Sequence, residues 1–94
     1  MRKLPSRVKI KNKVEYEVVH VDEFKEKTTV GECRPRNRQI ALKINQSERQ
    51  KIKSFIHEIL HAVCMERDIK IPHGSIYELE HAFYYLIFHN DWDK

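Results

Sequence analysis

Ser47-Glu48-Arg49-Gln50-Lys51-Ile52-Lys53-Ser54-Phe55-Ile56-His57-Glu58-Ile59-Leu60-His61-Ala62-Val63-Cys64-Met65 is the stretch that decides how this chain folds. Ile52, Phe55, Ile56, Ile59 and Val63 recur at intervals of three and four, which marks one apolar face of a helix. Leu60, Ala62, Cys64 and Met65 carry that character round most of the cylinder. A helix apolar on nearly every side must be covered on more than one of them. Ser47 followed by Gln50 has the form of a capping box, and Glu48 suits the positive end of a helix. The expectation is a central helix over residues 46–68, with a sheet on one flank and a second helix on the other.

Upstream, residues 1–45 read as β-structure. Residues 7–10 and 14–21 are rich in β-branched and aromatic side chains, among them Val14, Tyr16, Val18, Val19 and Val21. Residues 28–30 and 39–44 continue the pattern. Arg34-Pro35-Arg36-Asn37-Arg38 between them is a polar turn, which implies a hairpin. The second strand of that hairpin, residues 39–44, is the expected exposed edge of the sheet. Residues 22–27 are polar and suit a loop or a single helical turn.

Downstream, Pro72-His73-Gly74 interrupts the helical pattern. Ser75, with Glu78 three residues on, is expected to cap a second helix over residues 75–90. Its apolar stripe is Ile76, Leu79, Phe83, Leu86 and Ile87, and the chain closes in polar residues around Trp92. The fold class implied is α+β: one domain over residues 1–94, with a small three- to four-stranded, mainly antiparallel sheet followed by two helices.

Composition bounds the function classes. With 94 residues, 40% of them hydrophobic, the chain can bury one modest core. No apolar run approaches the roughly 18 residues a membrane span needs. Met1-Arg2-Lys3-Leu4-Pro5 is followed by no apolar segment of signal-peptide type, so a cytoplasmic protein without a membrane partner is expected. Cys33 and Cys64 form no C-x-x-C pair and are expected to be free, buried thiols. Charge is uneven: residues 1–56 hold 15 Lys/Arg against 7 Asp/Glu, and residues 57–94 hold 3 against 7, so +8 and −4 make up the net +4. The acidic half suits a cation site. The basic half admits a nucleic-acid partner, but its charges are spread through strand-like segments, which favours a solvated sheet face.

His57-Glu58-Ile59-Leu60-His61 is an H-E-x-x-H pentapeptide inside the central helix. Residues four apart lie one above the other on a helix, so both imidazoles can reach one metal ion. Glu58 lies beside them, placed to take a proton from a metal-activated water. A catalytic zinc site needs a third protein ligand and one open position. Helical phase singles out Glu80: taking Ile76 as zero, it falls about 40° round, inside the apolar stripe, whereas Glu78 falls about 200° round, toward solvent. A carboxylate in such a stripe needs a cation or a hydrogen-bond donor. Glu80 is therefore the expected third ligand, with Glu78 and His73 as alternatives. Tyr84, one turn beyond Glu80, is the expected donor to a developing oxyanion, with Tyr77 and His73 behind it. His20, His81 and His89 are expected outside the site.

His57-Glu58-x-x-His61, followed by eighteen residues and then Glu80, resembles the gluzincin signature of zinc peptidases. The order of a short sheet and then two ligand-bearing helices is similar to small zinc peptidases of phages and mobile elements. The resemblance covers residues 55–87. It implies a minimal zincin-like fold and Zn²⁺ as cofactor. It also implies peptide-bond hydrolysis by a metal-activated water with Glu58 as general base, and a protein or peptide as substrate. Two other functions fit the sequence: a zinc-binding regulatory or protein-interaction module with little turnover, and a basic nucleic-acid-binding domain with incidental histidines.

Overall fold

The computed structural model describes residues 4–90, so the reading of the chain's last residues around Trp92 lies outside the described residues. Four strands, β1 (Arg7–Lys11), β2 (Val14–Val21), β3 (Gly31–Arg34) and β4 (Gln39–Lys43), precede two helices, α1 (Glu48–Glu66) and α2 (His73–Phe88). The strands form one sheet in the order β1-β2-β4-β3. β1 and β2 pair antiparallel, as do β3 and β4, whereas β2 and β4 run parallel, with Val18 beside Ile40 and His20 beside Leu42. The α+β expectation is met, with one parallel pair at the centre of an otherwise antiparallel sheet.

Alternation builds β2: Val14, Tyr16 and Val18 are buried, and Glu15 and Glu17 between them are exposed. β4 differs, because Ile40, Ala41 and Leu42 are each fully buried. An unbroken buried run belongs to a strand with neighbours on both sides. The expectation that residues 39–44 form the sheet edge is therefore corrected: β4 lies between β2 and β3, and the edges are β1 and β3. β3 suits that place through its exposed Glu32 and half-buried Arg34, which form an ion pair at 3.0 Å along the strand. The hairpin itself is present, but its first strand is residues 31–34 and not 28–30. Residues 22–27 form a loop.

α1 covers one face of the sheet, and α2 packs on α1 without reaching the sheet. Phe55, Ile59, Ala62 and Val63 of α1 join Ile10, Val14, Tyr16, Val18, Ile40 and Leu42 in the core. The side of α1 turned away from the sheet carries His57 and His61, so the two histidines look toward α2. Ser47 caps α1 as expected, its hydroxyl accepting the Gln50 backbone N–H at 3.1 Å. The return arm of the box is absent, because the Gln50 amide donates to Ser54 at 3.4 Å.

The second helix starts two residues earlier than Ser75. Pro72 occupies the N-cap in extended geometry and no side chain caps the helix, so the expected Ser75–Glu78 box is not formed. Proline's fixed φ suits a helix entrance. The shift puts His73 on the helix, where His73, Tyr77 and Glu80 fall at i, i+4 and i+7 on one face. Of the expected apolar stripe, Ile76 is buried and Ile87 half-buried, while Leu79, Phe83 and Leu86 are exposed. No helix among the described residues is long and apolar enough to cross a membrane.

Candidate metal centre

α1 and α2 bring four of the residues singled out by sequence to one place. The Nε2 atoms of His57 and His61 approach to 3.2 Å. On the other side of its ring, His57 Nδ1 lies 2.7 Å from Glu80 Oε1. Both partners of that contact are largely buried, with side-chain exposures of 15% and 11%. A carboxylate only accepts, so His57 donates from Nδ1, and in the neutral ring this leaves the Nε2 lone pair free. His73 completes a group in which one ligand atom from each of His57, His61 and His73 lies within 4.8 Å of the others. Two ligands on a tetrahedral zinc sit about 3.3 Å apart at bond lengths near 2 Å. The His57–His61 spacing already fits that edge. His73, the first residue of α2, is exposed and stands within 4.8 Å of that pair.

Electrostatics favours the ligand form of His61. Burial holds its pKa below the ordinary imidazole value, with positive charge on His57 and His73 acting in the same direction. A neutral imidazole is what a metal needs. Glu58 moves the other way. Burial raises its carboxyl pKa, and the negative charges of Glu32 and Glu80 add to this, against the lowering effects of His57 and of a hydrogen bond from the Cys33 backbone. A carboxylate raised toward neutrality is a stronger base than an exposed glutamate.

Glu58 reaches this position because β3 begins with glycine. A Cβ added at Gly31 would stand 3.3 Å from both Cγ and Oε2 of Glu58 and 3.4 Å from Cβ of Ser54. The segment before it is tied down by Gln46, whose amide donates to the carbonyls of Lys43 at 2.8 Å and Val30 at 3.3 Å. A cleft of about 280 Å³ results, lined by Val30, Gly31, Lys53, His57, Glu58, Tyr77 and Glu80 among others. Its lining includes His57 but neither His61 nor His73.

Glu80 is buried and Glu78 exposed, as helical phase requires. Glu80 stands on the Nδ1 side of His57, whereas His61 approaches the Nε2 side. Tyr84 does not line the cleft: its ring lies tilted against Phe88, centroids 4.5 Å apart, and under the Lys53 ammonium. Tyr77 lines it instead, with its ring centroid 4.9 Å from that of His57 and 5.1 Å from that of His73. His20, His81 and His89 are exposed, and His89 stacks on Tyr85. Cys33 and Cys64 are free and half-buried. Sequence reading passed over Gly31, Gln46 and Lys53. The signal for His73 was Pro72, a residue suited to a helix entrance, which sets His73 in phase with Tyr77 and Glu80. Comparison with protein-family models, with curated proteins and with solved structures gives no match, so the site stands on its own geometry.

Proposed function

We propose that this chain is a zinc-dependent peptidase whose ion is held by His57, His61 and His73. The observation that carries this reading is the 3.2 Å approach of the His57 and His61 Nε2 atoms, with Glu80 fixed on the opposite nitrogen of His57. Two facing imidazole nitrogens and a carboxylate behind one of them form the arrangement by which proteins orient a metal-binding histidine. Three imidazoles suit zinc among the available divalent ions. A zinc ion there would supply Lewis acidity and make water a competent nucleophile at neutral pH.

The chain's own side chains do the rest. Glu58, with its pKa raised by burial, takes the proton of the attacking water and returns it to the leaving amine. Glu80 keeps the His57 ring in the Nδ1–H form and sets its angle. Tyr77, beside His57 in the cleft, donates its hydroxyl to the charge that develops on the carbonyl oxygen. The cleft runs beside residues 29–31, which gives an extended peptide a backbone to lie against.

The test is a pair of measurements on the purified chain and on Glu58→Gln. About one zinc per chain is expected in both. Hydrolysis of a peptide library is expected in the parent alone, with the variant down by at least 10²-fold. Equal zinc with no hydrolysis by either protein would leave a metal-binding module. Zinc far below one per chain would end the metal reading altogether.

A further inference from the structure

Lys53 has no part in the chemistry above, yet it lines the same cleft as His57. It precedes His57 by four residues, so the two share one face of α1, with Cβ atoms about 5–6 Å apart. It is the only lysine or arginine among the described residues that line the cleft. No carboxylate among the described residues forms an ion pair with it. Of the two carboxylates in the lining, Glu80 is engaged by His57, and Glu58 rests against Gly31. The Lys53 side chain is half-buried, and its ammonium lies 5.0 Å from the centroid of the Tyr84 ring. That contact steadies the charged head while leaving its hydrogen-bonding capacity unspent. Gln50, Ser54 and Thr29, which also line the cleft, offer neutral polar groups only.

From this we infer that Lys53 selects substrates carrying a carboxylate about one helical turn from the reacting carbonyl, an inference that rests on the zinc-peptidase reading. A half-buried ammonium without a counter-ion gains more from an anion than an exposed one does, because its charge is less screened. Charge-assisted hydrogen bonds are also stronger than neutral ones. The carboxylate has two sources in a peptide, an acidic side chain or the chain terminus, and both present the same group to Lys53.

The test uses the zinc-loaded chain with two probes of equal length, glutaric acid monohydroxamate and its methyl ester. The hydroxamate occupies the ion in both, and only the acid offers a carboxylate toward Lys53. The acid is expected to bind about 10-fold tighter. Lys53→Met should erase that preference and Lys53→Arg should keep it. Equal binding of acid and ester, or a preference that survives in Lys53→Met, overturns the inference while leaving the peptidase reading intact. Failure of both probes to bind removes the open metal site, and with it the reading on which this inference rests. Competition then separates the sources. An amidated peptide with an internal glutamate displacing the probe assigns the side chain, and a neutral peptide with a free C-terminus doing so assigns the terminus. Neither outcompeting a neutral amidated peptide overturns selection among peptides.

Discussion

His57 has two ring nitrogens that face different partners, Glu80 on one side and His61 on the other. On the proposed reading this divides the duties of Glu80 and His73: one orients a ligand, the other is a ligand. The difference is measurable. Glu80→Ala should lower zinc affinity by about 10–100-fold, the usual effect of losing an orienting partner. His73→Ala should lower it further, because a primary ligand is gone. Chelator competition would read both values, and a larger loss for Glu80→Ala would make the carboxylate the third ligand. Much of this site was legible in sequence. The i, i+4 histidines and the buried phase of Glu80 follow from helical periodicity alone. Which atom Glu80 touches did not follow, because periodicity gives a direction round a helix and not a distance to a neighbouring one.

Helix ends show the same division at the scale of elements. Ser47 was readable as a cap because its side chain bonds three residues ahead, within one local segment. The other end of α1 was not. There Ile69 N–H donates to Cys64 O at 2.8 Å and Asp68 N–H to Met65 O at 3.4 Å, with Asp68 at φ 54°. This is the Schellman arrangement, with aspartate where glycine is usual. Asp68→Gly is expected to stabilise the fold by about 0.5–1 kcal/mol, since glycine adopts this backbone without steric cost. Urea unfolding should show a higher midpoint at unchanged slope. A lower midpoint would mean that the Asp68 carboxylate makes a contribution of its own. The early start of α2 escaped for a related reason. Pro72 caps through backbone geometry, whereas Ser75 offered the more familiar side-chain signature.

Across the whole molecule, the sheet and α1 are tied by Tyr16, which is fully buried yet places its hydroxyl 2.7 Å from Glu66 Oε2. Lys11 from the same hairpin donates to the Glu66 carbonyl at 2.6 Å. Burial, and next the bond to Glu66, raise the Tyr16 pKa well above its ordinary value of 10. The folded chain therefore holds this proton more tightly than the unfolded chain. Its stabilising effect is complete below pH 10 and is lost as pH climbs from 10 toward the raised value. Cys33 acts in the same direction from its ordinary value of 9, pushed up to about 11 by burial and then by the charges of Glu58 and Glu66. Urea unfolding between pH 8 and 11.5 should show falling stability in the parent and a shallower fall in Tyr16→Phe. At neutral pH that variant should cost about 1–2 kcal/mol, because Glu66 loses its donor. An equally steep alkaline fall in Tyr16→Phe would remove this residue from the account. By itself the sequence determined the order of strands and helices, the central place of α1 and the faces its histidines share, all of which are set by local periodicity. Tertiary structure alone decided that β4 lies inside the sheet, that β3 borders the cleft, and that His73, Tyr77 and Glu80 of α2 meet the H-E-x-x-H helix. The reason is physical: strand order and the contact between helices depend on which distant surfaces bury each other, and no local spacing records that.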